Sequence, residues 1–113
     1  MKVIVCGGRD FTDQARLYKF LDRFHRKHSL EIVVEGDSRG VDRMAGYWAR
    51  KNRIEDRKYP ADWNALGKAA GPLRNQQMID AEKPDAVIAF QGGHGTADMV
   101  RRAHEAEILV IEA

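Results

Sequence analysis

Cysteine is almost absent from this chain, proline is scarce, and no apolar run is long. The single Cys6 among 113 residues excludes an intramolecular disulfide and makes a poor start for a metal site. Cys6 closes the apolar run Val3–Cys6, so the expected role is a buried, inert thiol. That run is far shorter than a signal-peptide core or a membrane span, and no later one reaches that length. A soluble, cytoplasmic protein without membrane partners is therefore expected. Charge of one sign is lacking too. Lys and Arg number 19 against 17 Asp and Glu, a formal net charge of +2, which gives little long-range attraction to nucleic acid. A hydrophobic share of 43% is enough for a core, and the length suits one domain over residues 1–113. Linkers, repeats and low-complexity segments are missing.

What is present is an alternation of strand-like and helix-like segments. Strands are expected at Lys2–Cys6, Glu31–Glu35, Glu55–Tyr59, Ala86–Phe90 and Ile108–Glu112. The polar Glu55–Tyr59 run suits a sheet edge. Between Thr12, a candidate N-cap, and His28, the residues Leu17, Phe20, Leu21 and Phe24 recur at helical spacing. Val41, Met44, Ala45, Trp48 and Ala49 mark the buried face of a second helix. A short helical turn is expected near residues 63–68. Pro72 suits the first position of a helix that runs to about Glu82, and a last helix begins near Thr96. Such alternation implies an α/β, Rossmann-like, doubly wound parallel sheet with helices on both faces. Right-handed crossovers most simply order its five strands 3-2-1-4-5.

In that order the winding reverses between the first and fourth strands, where folds of this kind bind ligands. Gly7-Gly8 ends the first strand and Gly92-Gly93-His94-Gly95-Thr96 ends the fourth, so both glycine turns fall at the reversal. Amides bared by glycine at a helix N-terminus suit an anion, which points to a phosphate-bearing small molecule. The Gly-x-Gly-x-x-Gly and P-loop patterns are missing. Arg9 offers a planar fork for phosphate, and Phe11 either stacks on a base or staples the helix start. In the turn after the second strand, Gly36, Asp37 and Asp42 are candidates. Either carboxylate can accept from ribose hydroxyls, and Asp42 equally suits a helix first turn on structural grounds. Arg74, Asn75 and Met78 form a third group. Arg74 in a first turn opposes the helix dipole unless an anion binds it. Trp63 reads more as core than as a stacking platform. His94 can contact phosphate, exchange a proton, or stand solvated in the loop.

Gly7-Gly-Arg-Asp-Phe11, Glu35-Gly…Gly40-Val-Asp42, Ala61…Trp63…Gly67, Gly71…Arg74-Asn75…Met78 and Gly92-Gly-x-Gly-Thr96 together resemble the YspA-related family of the SLOG (Smf/DprA–LOG) superfamily. The resemblance covers essentially the whole chain. It implies a Rossmann-like domain that binds or senses a nucleotide or nucleotide-derived ligand, with no cofactor required. LOG relatives form dimers, so it leaves a homo-oligomer open. They also hydrolyse the N-glycosidic bond of nucleoside monophosphates through an Arg-containing helix start and a Pro-Gly-Gly-x-Gly-Thr-x-x-Glu motif. Here Gln91 replaces the proline and Met99 the glutamate, and a thioether cannot position water. An N-glycosidase is therefore the second reading, with Arg74 and Asp98 as its candidate catalytic residues. Asp98 projects about 100° from the Met99 position around a helix, and Glu35 or Asp37 is the other source of a carboxylate. Single-stranded nucleic-acid binding, as in the DprA branch, ranks last, for the chain shows no basic, aromatic-rich strip.

Overall fold

The computed structural model describes residues 1–113. Five parallel strands form one sheet in the order β3-β2-β1-β4-β5: β1 (Lys2–Cys6), β2 (Ile32–Glu35), β3 (Glu55–Lys58), β4 (Ala86–Ala89) and β5 (Leu109–Glu112). This is the expected order, with β1 paired to β2 on one side and β4 on the other. The polar β3 lies at an edge, as its composition predicts. Helices α1 (Gln14–His28) and α2 (Val41–Lys51) cover one face; α4 (Ala70–Glu82) and α5 (His94–Glu105) cover the other, with the short α3 (Trp63–Leu66) leading towards α4.

Alternation along β1 divides the core. Val3 and Val5 point to the α1–α2 side and meet Leu17, Leu21, Trp48 and Ile88. Ile4 and Cys6 point to the other side and meet Met78, Ile79, Met99 and Ala103. Each face thus receives an apolar layer, the condition for a parallel sheet to be stable. Trp48 is buried, and its indole N–H donates to Asp22 Oδ1 at 2.8 Å, so its polar edge carries no desolvation cost. Met44 of the expected buried face is only half-buried. No helix is long and apolar enough to cross a membrane.

Three helix starts differ from expectation, and β2, β3, β4 and β5 are each one residue shorter than the expected runs. Asp13 rather than Thr12 caps α1, accepting from Arg16 N at 3.1 Å, and its negative charge suits the positive helix end better than a hydroxyl. Helix α4 begins at Ala70, because the 3-10 turn Gly67–Ala69 feeds directly into it. Pro72 is still tolerated as the third residue, where its missing N–H has no intrahelical partner. Arg74 consequently lies beyond the first turn, so the dipole mismatch does not apply to it. Helix α5 begins at His94, two residues before Thr96, with Gly93 as N-cap.

Candidate functional site

The C-terminal ends of β1 and β4 meet at Gly8. Its amide donates to Gln91 O at 2.9 Å, and its carbonyl accepts from Val41 N at 3.2 Å and Phe11 N at 3.3 Å. One residue therefore ties together the turns after β1 and β4 and the start of α2. Two glycines permit this closeness. Gly40 has φ +82°, and a side chain there would run into the carbonyls of Gly8 and Arg9. A Cβ on Gly92 would stand 2.7 Å from Gly8 N and collide with Thr96 Oγ1. The two glycine turns sit side by side at the strand-order reversal, as the topology predicts.

Between them and α4 opens a cavity of about 750 Å³. Gly7, Gly8, Arg9 and Phe11 line it from the β1 side, Asp42 from α2, Arg74 and Asn75 from α4, and Gly92, Gly93, His94, Gly95 and Thr96 from the turn and start of α5. Cys6 and Met78 also reach it. Burial, with a smaller contribution from Asp42, pushes the Cys6 thiol up to about 12, consistent with an inert role.

Arg74 is the best-anchored cation of the site. Nη1 donates to Gly36 O at 2.7 Å and Tyr59 O at 3.2 Å, and Nε donates to Asn75 Oδ1 at 3.1 Å. The second terminal nitrogen, Nη2, has no partner in the protein. Three bonds fix the plane of the guanidinium and leave one fork prong for a ligand. Asp42 is 7% exposed, with Ser38 N donating to its Oδ2 at 3.3 Å. Burial raises this carboxyl to about 6, against Arg74, the amides of Ser38 and Gly36, and Arg9, which favour its charge. Asn75, 4% exposed, donates through Nδ2 to Gly95 O at 3.2 Å and Asp98 Oδ2 at 3.0 Å, holding the start of α5 against α4.

Lys68 and Asp10 line the cavity too, but Asp10 is exposed and paired with Arg39 at 3.1 Å. Cations therefore outnumber the one buried carboxylate. Trp63 corrects the core expectation: it is 44% exposed and carries the Arg9 guanidinium 4.9 Å from its ring centroid, so the pair forms one wall. Phe11 meets the Phe90 ring edge-on, centroids 5.7 Å apart, and packs against the α1-side core while also lining the cavity.

Three candidates are not brought into the cavity. Gly36 contributes through its backbone alone, its carbonyl holding Arg74 and its amide favouring the charge of Asp42. Asp37, at φ +57°, turns towards Arg43 (3.7 Å) and Lys58 (3.8 Å). Asp98 lies behind Asn75, where it also accepts from Arg102 Nε at 2.8 Å and Arg101 Nη2 at 2.9 Å. Burial works against its charge, but the bonds from Arg102, Asn75 and Arg101 prevail and hold the carboxyl below its usual range. Glu35 is fully buried against Lys58, away from the cavity. Ser38 and Gln91 are lining residues that motif reading passed over. Gln91 stands two residues beyond the end of β4, a position that fold topology alone marks as part of the ligand edge.

This geometry agrees with the relationships of the chain. The model of the YspA, cpYpsA-related SLOG family matches residues 1–65. The chain belongs to that family. "Gene 61 protein" of Mycobacterium phage D29 is 36% identical over 118 residues, spanning 97% of this chain and 94% of the phage protein. The X-ray structure of DNA processing protein A (DprA) from Streptococcus pneumoniae shares the fold with a TM-score of 0.77 at 19% identity. That likeness covers 98% of this SLOG chain and 49% of the DprA chain, so the chain spans about half of DprA's length. The family match takes in the Gly7–Phe11 and Gly36–Asp42 turns, and the phage relative extends over the α4 and α5 sides of the cavity as well.

Proposed function

We propose that the chain binds a nucleotide or nucleotide-derived anion, with a phosphate on the first turn of α5 beside Arg74. One observation carries this reading: Arg74, whose Nη2 has no partner, and the residues of the uncapped first turn of α5 line the same cavity. Gly93 offers no capping side chain, so the first-turn N–H groups have no protein acceptor. Micromolar affinity needs about −8 kcal/mol, and a helix terminus supplies about 0.3–1. Charge-assisted bonds from Arg74 and Arg9 must supply much of the remainder. The Arg9–Trp63 wall offers a flat surface to a base, and Asp42 an acceptor for a ribose hydroxyl.

Gly95 gives the test. A Cβ there meets nothing within 4 Å, and its φ is not positive, so Gly95→Ala is free of strain. Alanine is the better helix former, and unliganded G95A is expected to be more stable by about 0.5–1 kcal/mol. The same methyl crowds the amide face, so affinity for nucleoside monophosphates is expected to fall about tenfold. Calorimetric titration with AMP and thermal unfolding without ligand read the two effects separately. Unchanged affinity would sink the phosphate position.

A second reading, nucleotide N-glycosidase, is favoured by Asp42. It is the buried carboxylate in the cavity, raised to about 6 and placed near Arg74, whereas Asp98 is tied to α4. In this reading a carboxyl poised near neutrality steadies an oxocarbenium-like centre or activates water. Free base then accumulates from nucleoside monophosphates, and Asp42→Asn lowers its release at least about 100-fold. If base release is nil with the unaltered chain, binding stands alone.

A further inference from the structure

A second cavity, of about 740 Å³, lies on the far side of the glycine turn. It shares Gln91, Gly92, Gly93 and Thr96 with the first, so the two are separated only by the turn and the start of α5. The ridge is bare: a Cβ on Gly93 would meet nothing within 4 Å. Beyond the ridge, Ala97 and Val100 of α5 and Ala113 make an apolar floor, rimmed by His104, Arg101 and Glu112. The side chains of His104 and Glu112 have no hydrogen-bond partner, whereas Arg101 is paired with Asp98 and Glu105. Each cavity alone falls within the usual range for small-molecule sites, about 300–1,000 Å³.

Resting on the reading above, we propose that the ligand is a dinucleotide whose diphosphate crosses the Gly92–Gly93 ridge, with one nucleoside in each cavity. The first turn of α5 borders both cavities through Thr96, so its amides stand where a bridging diphosphate passes. Arg74 takes the phosphate on its own side. His104 lies on the other side, within the cavity that would hold the second nucleoside. The apolar floor of Ala97 and Val100 receives the face of the second base, and Glu112 accepts from an exocyclic amine or a ribose hydroxyl. A mononucleotide fills only half of this arrangement, and linking two halves makes the second contact intramolecular.

The experiment titrates the full chain with diadenosine 5′,5′-diphosphate, ADP and AMP. Ala97→Trp serves as the probe variant, because Ala97 is exposed and lines only the second cavity. The dinucleotide is expected to bind at least tenfold tighter than ADP. In A97W that advantage disappears while AMP affinity is unchanged. Circular dichroism and thermal unfolding verify that A97W folds, and His104→Glu, at an exposed position, gives the same direction by charge. Equal affinity for dinucleotide and ADP, or an advantage that survives both substitutions, overturns the two-cavity ligand and leaves nucleotide binding intact. Failure of all three compounds to bind overturns both.

Discussion

Replacing Arg74 by alanine is expected to weaken nucleotide binding about 100-fold, near 2.7 kcal/mol, the largest loss from any single side chain in the cavity. The size of the loss follows from how the guanidinium is held. Gly36 O, Tyr59 O and Asn75 Oδ1 fix three of its N–H directions before any ligand arrives, so little rotamer entropy is left to lose. Burial lowers the pKa of this arginine, opposed by Asp42, yet a guanidinium stays charged at neutral pH. A fixed, half-buried cation is worth more to a phosphate than an exposed lysine such as Lys68, whose charge water screens. Lysine at position 74 keeps the charge but cannot reach three acceptors and a ligand together, and an intermediate loss is expected.

Arg74→Ala also has a structural cost, and the two effects must be separated. Without the guanidinium, two carbonyls lose a donor and Asp42 loses its nearest counter-charge. Asp42 responds by taking up a proton, since burial already holds it near 6. The fold is therefore expected to lose only about 1–3 kcal/mol, the cost of buried polar groups left unpaired. Adding Asp42→Asn removes that carboxylate and restores part of the stability. If binding returns with stability in the double variant, Arg74 is a structural clamp and the phosphate assignment fails. Binding that stays about 100-fold below that of Asp42→Asn alone while unfolding temperature recovers places the loss on the missing contact.

Much of this site could be read from residue order, and the parts that could not share a cause. The reversal between β1 and β4 followed from handedness and alternation, and it put Gly7-Gly8 beside Gly92-Gly93 without any coordinate. Trp63 escaped because α3 is four residues long, too short for a periodic pattern to say which way a side chain points. Asp37 escaped because its left-handed backbone turns the carboxylate towards Lys58, and an Asp in a polar turn carries no mark of φ. Asp98 and Asn75 were seen as separate motif members, whereas their bond to each other makes both part of the α4–α5 contact. Spacing along a chain reports faces of one element. It does not report which polar groups of two elements satisfy each other.

That limit is plainest at Glu35 and Asp56, a carboxylate pair with no sequence signature, and it yields the second large effect. Val33 faces Asp56 and Glu35 faces Lys58 across the β2–β3 ladder, so Glu35 and Asp56 are diagonal neighbours on one face. Gly46 of α2 leaves room above them, for a Cβ there would stand 2.7 Å from Glu35 Oε2 and 3.0 Å from Asp56 Oδ2. Lys58 bonds both, at 2.9 and 3.1 Å, Arg50 bonds Asp56, and Asp37 N donates to Glu35 Oε1 at 2.6 Å. Asp56 Oδ1 is buried without a partner. Burial and the adjoining Asp56 push Glu35 up to about 7, against Lys58. In the unfolded chain the same carboxyl titrates near its ordinary value of 4.5. The folded form therefore holds a proton that the unfolded form releases between those limits. Its stabilising effect is complete below about pH 4.5 and is lost as pH rises through 7. Asp42 adds the same sign over a window ending near pH 6. Glu82 and Asp98, whose carboxyls are depressed, act oppositely at lower pH, where their protonation weakens the fold. Stability is thus expected to peak in mild acid and to fall by about 2–3 kcal/mol towards pH 8. Denaturant unfolding at stepped pH measures it. Glu35→Gln presents an amide donor to Asp56 at every pH, so it should flatten the decline and be the more stable chain above pH 7. A parent profile level from pH 5 to 8 would show that Glu35 is ionised in the fold across that range.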